Sequence, residues 1–435
     1  MPIPSLAVTR RTFLRAALAA AAAPYVVPAS VLGAAAPSNV LTMGCIGVGR
    51  QGYGNMRAFL EHVRILAVCD VDAKRAANAK KTVETHYAAR LGKNAYQGCD
   101  VHADFRDLVA RPDIDTCLIC TPDHWHVITA MAAAGAGKDI FVEKPLSLTI
   151  PEGRALSDAV RRYGRVLQVG SQQRSDGRFR FACELVRNAR IGKLHTVTVI
   201  LDTDPGTTPQ PVMPVPDGLD YDFWLGPAPW APYTEKRVHP QQDYDRPGWL
   251  RISDYSGGMM TGWGSHHNDI AQWGMGTERT GPVEIEGRAE FPKDGLWDVH
   301  GKFHVEARYS SGVRLIMHDG PDGIRFEGTD GWVYVNRARI DAQPKSLLKE
   351  PIGPGEVQLY RSTDHKGNFL DCVRTRRDPV ADVEVGHRSA SLCHLANIAM
   401  KIPRRLRWDP DAETFVDDAE ANRMMVRGMR SPWTI

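Results

Sequence analysis

Short apolar runs alternate with longer amphipathic segments over the first part of the chain. The runs with the composition of buried strands lie at residues 40–46, 63–69, 115–120, 139–142 and 165–170. Helical patterns or helix-start signals stand between them, at residues 55–62, 73–91, 104–108, 127–134 and from 149 onward. This strand–helix alternation predicts an α/β fold that begins with a doubly wound parallel sheet carrying helices on both faces.

The pattern changes after about residue 181. A helix over 181–188 and a strand over 194–201 precede a stretch rich in proline and tryptophan, 203–249, whose length suggests a functional loop. Further strands are expected at 282–291, 301–309, 313–318, 323–327 and 332–335, and closing helices at 368–374 and 386–401. We therefore predict a nucleotide-binding domain over 38–170 and, over 171–435, an α+β domain with a large mixed, mostly antiparallel sheet.

The first 36 residues resemble an export signal rather than part of a folded domain. Arg10 and Arg11 precede an alanine-rich apolar run at 16–23, and small residues at 34–36 offer a cleavage site. A twin-arginine signal of this kind carries folded proteins across the bacterial inner membrane, which predicts a periplasmic or secreted protein. An uncleaved membrane anchor is the alternative, but prolines interrupt the run and make it short for a spanning helix. No membrane span is expected after processing.

Composition adds few constraints. The chain has 435 residues, is 43% hydrophobic and 24% charged, and carries a net charge of +3, which is ordinary for a globular protein of two domains. Nothing in that balance favours a nucleic-acid partner. Among the eight cysteines, Cys117 and Cys120 have the spacing of redox or zinc sites. Both lie in a predicted strand and would face opposite ways, so we favour core thiols and expect no disulfide framework.

Residues 40–54 carry the strongest chemical signal. The first apolar run leads into Gly47, Gly49 and Gly52 in G-x-G-x-x-G spacing, and the next predicted strand ends in Asp70. In this order Gly47 allows a tight turn, Gly49 lets the backbone approach a pyrophosphate, and Gly52 lets helix and strand pack closely. The helix N-terminus then offers N–H groups to phosphates, and Asp70 can accept hydrogen bonds from a ribose 2′-OH.

These features predict a dinucleotide site rather than the alternative, a glycine-rich surface turn. Asp70 is followed two residues later by Asp72, and this pair of acids disfavours a 2′-phosphate. NAD is therefore favoured over NADP, although Arg50 or Lys74 could alter that preference. Arg50 and Gln51 lie within the turn and are included among the expected cofactor contacts.

Three further stretches follow predicted strands at the carboxyl edge of the sheet, where ligands of such folds bind. They supply the expected cofactor contacts Thr121, Pro122, His124, Trp125, His126, Glu143, Lys144 and Gln172. Lys144 would project beside the nicotinamide. Partial desolvation there lowers the pKa of an amine and allows it to polarise or protonate an oxygen. A solvated loop lysine is the alternative, and the position at the sheet edge favours the functional role.

A glycine-rich approach, 257–264, leads to His266 and His267. Such a stretch suits close passage of the backbone by a ligand, and a histidine can remove a hydroxyl proton. A metal site with Asp269 is disfavoured, because the two histidines point apart on a helix and no third ligand is evident. The catalytic candidates are Lys144, His266, His267 and Asp269, and the substrate candidates are Arg174, Tyr233 and Trp263. Tyr233 could stack on a sugar or belong to local core.

Taken together, these motifs resemble the glucose–fructose oxidoreductase, inositol dehydrogenase and MocA family over the whole chain from residue 40. The resemblance rests on the glycine motif, on 121–126 and 143–145, on His266 with Asp269, and on later segments at 323–331 and 368–371. It implies that Lys144 and His266 form the catalytic pair and that Glu143 and Lys144 line the nicotinamide ribose. One position departs from the pattern. Family dehydrogenases commonly carry Asp four residues before the histidine, where this chain has Gly262. Either His267 or Asp269 substitutes for that acid, or the reaction differs.

The resemblance implies an exported oxidoreductase acting on a sugar or cyclitol. A second branch of the family implies an NAD-dependent glycosidase, which oxidises a ring hydroxyl, eliminates the aglycone, adds water and returns the hydride. Lys144, which the glycosidase branch often lacks, favours the oxidoreductase, and Gly262 favours the glycosidase. The third hypothesis is a non-catalytic relative that binds a sugar. Because the periplasm offers little soluble NAD, we expect the cofactor to stay bound. A homo-oligomer is expected by fold analogy.

Overall fold

The computed structural model describes residues 40–435. The predicted export signal and its cleavage site lie outside the described residues. From Thr42 to Ile435 the chain forms one compact unit built around two β-sheets.

The first sheet has six parallel strands in the order β3-β2-β1-β4-β5-β6. The strands are β1 Thr42–Ile46, β2 Arg64–Cys69, β3 Asp100–His102, β4 Thr116–Ile119, β5 Asp139–Val142 and β6 Leu167–Val169. The connecting helices are α1 Arg50–Phe59, α2 Ala73–Arg90, α3 Phe105–Val109, α4 His126–Gly135 and α5 Ile150–Arg162. This order is the doubly wound Rossmann arrangement, with its switch point between β1 and β4. The predicted parallel sheet is confirmed.

The second sheet has nine strands in the order β13-β12-β11-β7-β10-β9-β8-β14-β15. They are β7 Leu194–Leu201, β8 Glu284–Ala289, β9 Phe303–Arg308, β10 Arg314–Asp319, β11 Gly323–Gly328, β12 Trp332–Val335, β13 Ile340–Gln343, β14 Leu406–Asp409 and β15 Thr414–Phe415. Only β7 and β10 pair in parallel among these strands, so the prediction of a mixed, mostly antiparallel sheet is confirmed.

The remaining helices are α6 Gly177–Arg187, α7 Tyr221–Leu225, α8 Gly258–Gly262, α9 Gly264–Met275, α10 His365–Thr375, α11 Val383–Lys401 and α12 Ala419–Arg423. Single 3₁₀ turns occur at Asp123–Trp125, Gln172–Ser175, Glu235–Arg237, Gly248–Arg251 and Lys345–Leu348. Most of the stretch at 203–249 is irregular. The stretch contains no strand, and its role as a functional loop stays a prediction.

Burial follows the strand periodicity in the second sheet. On β7 the side chains of Val197, Val199 and Leu201 are buried, and they share one apolar core with Met260 and Ile270 from α8 and α9. In contrast, every residue of β4 and β5 is buried, as expected for central parallel strands covered on both faces. The helices that lead to the predicted catalytic histidine are thus anchored on the second sheet.

Helix α11 links the end of the chain to the first sheet. Its Glu384 carboxylate lies 2.8 Å from the Arg154 guanidinium of α5. A Cβ at Gly386 would lie 2.3 Å from the Val169 side chain of β6, so only a glycine permits this approach. The amide of Val169 also donates to the carbonyl of Ala381 at 2.9 Å. The two sheets are therefore coupled through C-terminal residues, and the division at 170 and 171 stays a prediction.

Some element boundaries differ from the prediction. Helix α1 begins at Arg50 and not at 55, because close packing of Gly52 on the carbonyl of Gly47 overrides the low helix propensity of glycine. Strands β3, β13, β14 and β15 were not predicted. β13 and β14 alternate apolar and polar residues over only four positions each, β15 is shorter still, and β3 is short and largely exposed, so none of them gives a strong strand pattern.

Candidate active site

A cavity of about 670 Å³ opens at the carboxyl ends of the strands of the six-stranded sheet. Its wall includes Ile46, Cys69 and Cys120, which stand at the ends of β1, β2 and β4. The predicted site residues that line it are Gly47, Gly49, Arg50, Gln51, Asp70, Thr121, Pro122, Trp125, His126, Glu143, Lys144, Gln172, Trp263 and His266. The fold therefore brings the glycine motif, the lysine and the first histidine to one cavity.

The turn between β1 and α1 has the geometry that a pyrophosphate needs. Gly47 has φ +78°, and a Cβ there would lie 2.7 Å from the Cys120 carbonyl. A Cβ at Gly52 would lie 1.9 Å from the Gly47 oxygen, whereas a Cβ at Gly49 would meet nothing within 4 Å. Gly49 caps α1 without a side-chain hydrogen bond, so no capping side chain occupies the start of the helix. A phosphate fits there without displacing a side chain.

The carboxylate of Asp70 is held at the end of β2. It accepts hydrogen bonds from the Val48 amide at 2.8 Å and the Asp72 amide at 3.0 Å. Burial raises the pKa of Asp70 above its ordinary value. With one bond to each oxygen, the carboxylate keeps lone pairs for hydroxyl donors in the cavity.

Glu143 is buried and forms the polar centre of the site. Its carboxylate accepts hydrogen bonds from the Asn55 amide at 2.8 Å, the Gln51 amide at 3.2 Å and the Lys144 backbone N–H at 3.2 Å. A Cβ at Gly170 would lie 2.9 Å from this carboxylate, so glycine makes room for it. These bonds tie α1 to the segment that carries Lys144.

The predicted residues His124 and His126 serve different contacts. The His124 ring nitrogen Nε2 lies 3.1 Å from the Trp224 carbonyl, which also accepts a bond from Trp125 Nε1 at 3.0 Å. Burial lowers the pKa of His124 to about 3, and this residue does not line the cavity. The His126 ring lies between the carbonyls of Pro145 and Thr121, at 2.7 and 2.9 Å, and joins the turns after β4 and β5.

His266 stands in the first turn of α9, faces the cavity and is only 5% exposed. Its Nδ1 has no hydrogen-bond partner in residues 40–435. Burial, followed by the charges of Lys144 and Arg337, holds the pKa of His266 well below its ordinary value of 6.5. The imidazole is therefore neutral at physiological pH and can accept a proton.

Other predicted residues lie away from the cavity wall. Arg174 and Asp269 form a buried pair, with Arg174 Nε 2.8 Å from Asp269 Oδ2, and the Ser389 hydroxyl donates to Asp269 at 2.9 Å. His267 is fully buried, 3.4 Å from the Gln173 amide. The predicted residues that the cavity does not reach are Gly52, His124, Arg174, Tyr233, His267 and Asp269.

Several residues at the cavity were not predicted individually. Arg75 lies on α2, and the irregular stretch at 203–249 contributes His239, Tyr244, Arg246 and Trp249. Arg337 comes from the turn between β12 and β13. The unusual length and composition of 203–249 predicted a functional loop, but no local pattern marks these side chains. Arg337 has no sequence signal at all, since it is an ordinary charged residue in a hairpin turn.

Residues 239–249, which we call the clasp, dock on α2. His239 Nε2 lies 2.8 Å from the Asp72 carboxylate, and the Arg75 guanidinium donates to the carbonyls of Pro240 and Asp243 at 2.6 and 2.5 Å. The same guanidinium stacks 3.9 Å from the Tyr244 ring centroid. The clasp therefore covers the Asp70 side of the cavity through charged and stacked contacts.

Within residues 40–435 no cluster of three His, Cys, Asp or Glu side chains has the geometry of a metal site. All eight cysteines are unpaired. In that same span, no helix is both long and apolar enough to traverse a bilayer.

We expect Asp269→Ala to destabilise the protein by about 3–5 kcal/mol, because it leaves the buried Arg174 charge without its partner. The free energy of unfolding from urea titration measures this. Asp371→Ala is the matched control, because Asp371 is exposed and pairs only loosely with Arg374 at 3.4 Å; it should change stability by less than about 1 kcal/mol. Equal stability of the two variants would contradict the structural role of Asp269.

Two family models match the chain. The model described as "Oxidoreductase family, NAD-binding Rossmann fold" matches residues 41–171, and "Oxidoreductase family, C-terminal alpha/beta domain" matches residues 203–435. Both are models of the glucose–fructose oxidoreductase, inositol dehydrogenase and MocA family.

Curated relatives match over about a third of the chain. An uncharacterized oxidoreductase, YrbE of Bacillus subtilis, is 32% identical over 161 residues, which cover 37% of this chain and 43% of that protein. A glycosyl hydrolase family 109 protein of Shewanella sp. strain ANA-3 is 36% identical over 162 residues, 33% of this chain and 35% of the relative. These matches span less than half the length of either relative.

Solved structures show the same fold at low identity. The WlbA dehydrogenase from Bordetella pertussis, in complex with NADH and UDP-GlcNAcA, has a TM-score of 0.62 at 18% identity, covering 85% of this chain and 99% of that one. The aldose–aldose oxidoreductase from Caulobacter crescentus has a TM-score of 0.59 at 18% identity, with the same coverage. With its NAD-binding Rossmann sheet, its C-terminal sheet and both family models matched in order, this chain belongs to the glucose–fructose oxidoreductase, inositol dehydrogenase and MocA family of oxidoreductases.

Proposed function

We propose that this protein is an exported oxidoreductase that retains NAD(H) and transfers a hydride to or from a carbon of a sugar or cyclitol. The observation that carries the proposal is the placement of Lys144 and His266 in the same cavity as the dinucleotide motif. NAD, when bound, supplies the hydride acceptor and donor. The remaining chemistry is proton transfer, for which this chain offers a neutral imidazole and an ammonium group.

The residues present fit the cofactor. The open face at Gly49 and the uncapped start of α1 suit the pyrophosphate. The carboxylate of Asp70 suits the hydroxyls of the adenosine ribose, and it would repel a 2′-phosphate, which supports NAD over NADP. Glu143 and Lys144 both line the cavity, and the family resemblance implies that they hold the nicotinamide ribose.

His266 and Lys144 divide the proton work in this proposal. The neutral His266 ring accepts the proton of the substrate hydroxyl. The Lys144 ammonium donates a hydrogen bond to the same oxygen and stabilises negative charge that develops on it. Neither His267 nor Asp269 lines the cavity, so neither replaces the carboxylate missing at Gly262 through direct contact with substrate.

The clasp supports the retention of the cofactor. An exported protein has little NAD to exchange with, and a segment held on α2 by the contacts of His239 and Tyr244 would slow release from the Asp70 end. Each catalytic cycle then has to restore the redox state of the bound nucleotide. Either two substrates react in turn, or one substrate is oxidised and reduced again.

An NAD-dependent glycosidase is the second candidate. It is favoured by the relatives named as glycosyl hydrolase family 109 proteins and by the absence of an acid at Gly262. The same two residues would then assist elimination of the aglycone by moving protons at the oxidised ring. The presence of Lys144 keeps the oxidoreductase as our first choice.

The product formed by the protein as isolated separates these candidates. We would incubate it without added cofactor with a panel of glycosides in deuterated water and follow the reaction by NMR. A keto-sugar or lactone that stops after one equivalent, unless a carbonyl acceptor is added, supports the oxidoreductase. Repeated cleavage with deuterium at the ring carbon beside the oxidised one supports the glycosidase and overturns the first proposal.

Lys144→Ala and His266→Ala should each lower turnover by about 10²–10⁴-fold, the usual contribution of a positioned acid or base. Steady-state kinetics on the substrate identified above measures the loss. Lys193→Ala and His195→Ala are matched controls on exposed positions outside the cavity and should leave turnover unchanged. If neither cavity variant alters turnover, the catalytic assignment is wrong.

The acid limb of the pH dependence of kcat/KM should lie below pH 6.5. The reason is that the pKa of His266 is depressed in the folded protein, so its neutral, proton-accepting form persists as the pH falls through the ordinary histidine value of 6.5. Measuring kcat/KM between pH 4 and 9 tests this. A limb at or above pH 6.5 that disappears in His266→Ala would contradict the expected environment of this ring.

Tyr244→Ala should release the retained nucleotide about tenfold faster, because it removes the stacking on Arg75 and the 2.9 Å hydrogen bond to Asn78. The nucleotide content remaining after timed dialysis, read by absorbance of the denatured extract, measures this. Tyr163→Ala, at a tyrosine that is 48% exposed, is the control. Unchanged retention in Tyr244→Ala would show that the clasp does not hold the cofactor.

A further inference from the structure

The substrate end of the cavity contains a cation that no carboxylate of residues 40–435 contacts directly. Arg337 lines the cavity together with Gly262, Trp263 and His266. In the described part of the chain its guanidinium makes no hydrogen bond or ion pair with an acid. By contrast Arg246, another cavity cation, lies 3.4 Å from the Asp204 carboxylate. Arg337 is therefore available to a ligand.

The acids nearest to Arg337 are engaged elsewhere. Asp176 pairs with Arg178 at 2.6 Å, and Asp322 lies 3.7 Å from the ring of His267. Glu143 accepts bonds from Asn55 and Gln51, as described above. These three carboxylates act on Arg337 only at longer range. Lys144 adds a second positive charge to this end of the cavity, where Glu143 also stands, and in residues 40–435 no carboxylate contacts the Arg337 guanidinium directly.

Gly262 leaves room in the same part of the cavity wall. A Cβ built at this position meets nothing within 4 Å, so the backbone turns toward free space in the cavity. A carboxylate here would lie in the same part of the wall as Trp263 and Arg337. A bound ligand can therefore fill the space that such a carboxylate would occupy and supply its negative charge.

The Arg337 guanidinium is also oriented. It lies over the indole of Trp263, with 4.3 Å from its central carbon to the ring centroid. Stacking keeps one face of the guanidinium on the ring and leaves its edge, which carries the N–H donors, free for a planar anion. A charged group covered by a bound sugar is costly unless it is paired. A substrate that brings its own anion removes that cost.

We propose that the substrate is an acidic sugar whose carboxylate binds Arg337 and occupies the space left at Gly262. This inference rests on the proposed function, since it names the substrate class of the same site. A sugar phosphate presents related anionic chemistry, because a guanidinium edge pairs with a carboxylate or a phosphate, and the experiment below distinguishes the two. The cofactor's own phosphates belong to the other end of the cavity, at the start of α1, where Arg50 stands.

Binding and turnover of matched sugar pairs test the proposal. The protein as isolated, with its retained nucleotide, would be titrated by calorimetry with methyl glucuronide and methyl glucoside, with methyl galacturonide and methyl galactoside, and with glucose 6-phosphate. We expect at least one uronide to bind about 100-fold more tightly than its neutral partner, and Arg337→Gln to abolish the difference. Arg337→Lys should restore part of it, because a point charge replaces the planar donor.

Two further variants keep the test specific. Arg339→Gln alters an exposed arginine of the same hairpin, one that stacks on Tyr334 at 5.4 Å and lies outside the cavity, and it should leave the preference intact. Gly262→Asp should lower the affinity for the uronide by placing a fixed carboxylate beside Arg337. Gly262→Asn, nearly the same size and uncharged, should lower it much less.

The outcomes separate the two proposals. Equal binding of uronide and neutral sugar, unaffected by Arg337→Gln, overturns the acidic-sugar inference alone. Loss of nucleotide from Arg337→Gln, with sugar binding unchanged, also overturns it, because the guanidinium then serves the cofactor. If glucose 6-phosphate binds more tightly than the uronides and this binding depends on Arg337, the site recognises a phosphate, and the proposal of a sugar carboxylate is overturned. Arg337-dependent binding of uronides without any turnover supports the anion site and contradicts the proposed function.

Discussion

The geometry of the site depends on a single buried carboxylate, that of Glu143. A carboxylate out of water is stable only when hydrogen bonds satisfy it, and here the donors come from two directions. Asn55 and Gln51 reach it from α1, and the backbone of Lys144 reaches it from the segment after β5. The helix whose start faces the pyrophosphate position and the lysine assigned to proton transfer are therefore held in one register. Weakening these hydrogen bonds would displace both the start of α1 and Lys144.

A second buried charge positions the histidine. Asp269 lies on α9 one turn beyond His266, and its pairing with Arg174 anchors that helix to the 3₁₀ turn at Gln172–Ser175. The pair lies behind the cavity wall, so its contribution is to the orientation of His266 and not to contact with substrate. Because both charges are buried, either substitution alone leaves an uncompensated ion. If substitution of Asp269 lowers activity, we therefore attribute the loss to displacement of α9 and not to removal of a group that contacts the substrate.

The residues that the sequence identifies well are those with a local signature. Gly47 and Gly52 are identified from the sequence because backbone geometry demands glycine at both, and Gly49 because it completes the spacing and leaves its side open to a ligand. Lys144 is identified because it follows a strand at the ligand-binding edge. Arg174 shows where this reasoning stops, since a charged residue after a strand faces either a cavity or a buried partner, and only the fold decides. Arg337 and Tyr244 reach the cavity from segments distant in sequence, and no spacing rule relates them to the motifs they serve.

These two kinds of residue also explain why membership of this family indicates a cofactor more firmly than a substrate. The nucleotide end of the cavity is built from backbone turns whose glycines tolerate little change, as the 1.9 Å approach at Gly52 shows. The opposite end is built from side chains of a hairpin and a glycine-rich turn, where an exchange such as Asp for Gly at 262 alters charge without any steric obstacle. Substrate charge can therefore change while the cofactor site stays as it is. On this view Gly262 and the unpaired Arg337 are linked, because removing the wall carboxylate is tolerable only when the ligand brings a negative charge to the guanidinium.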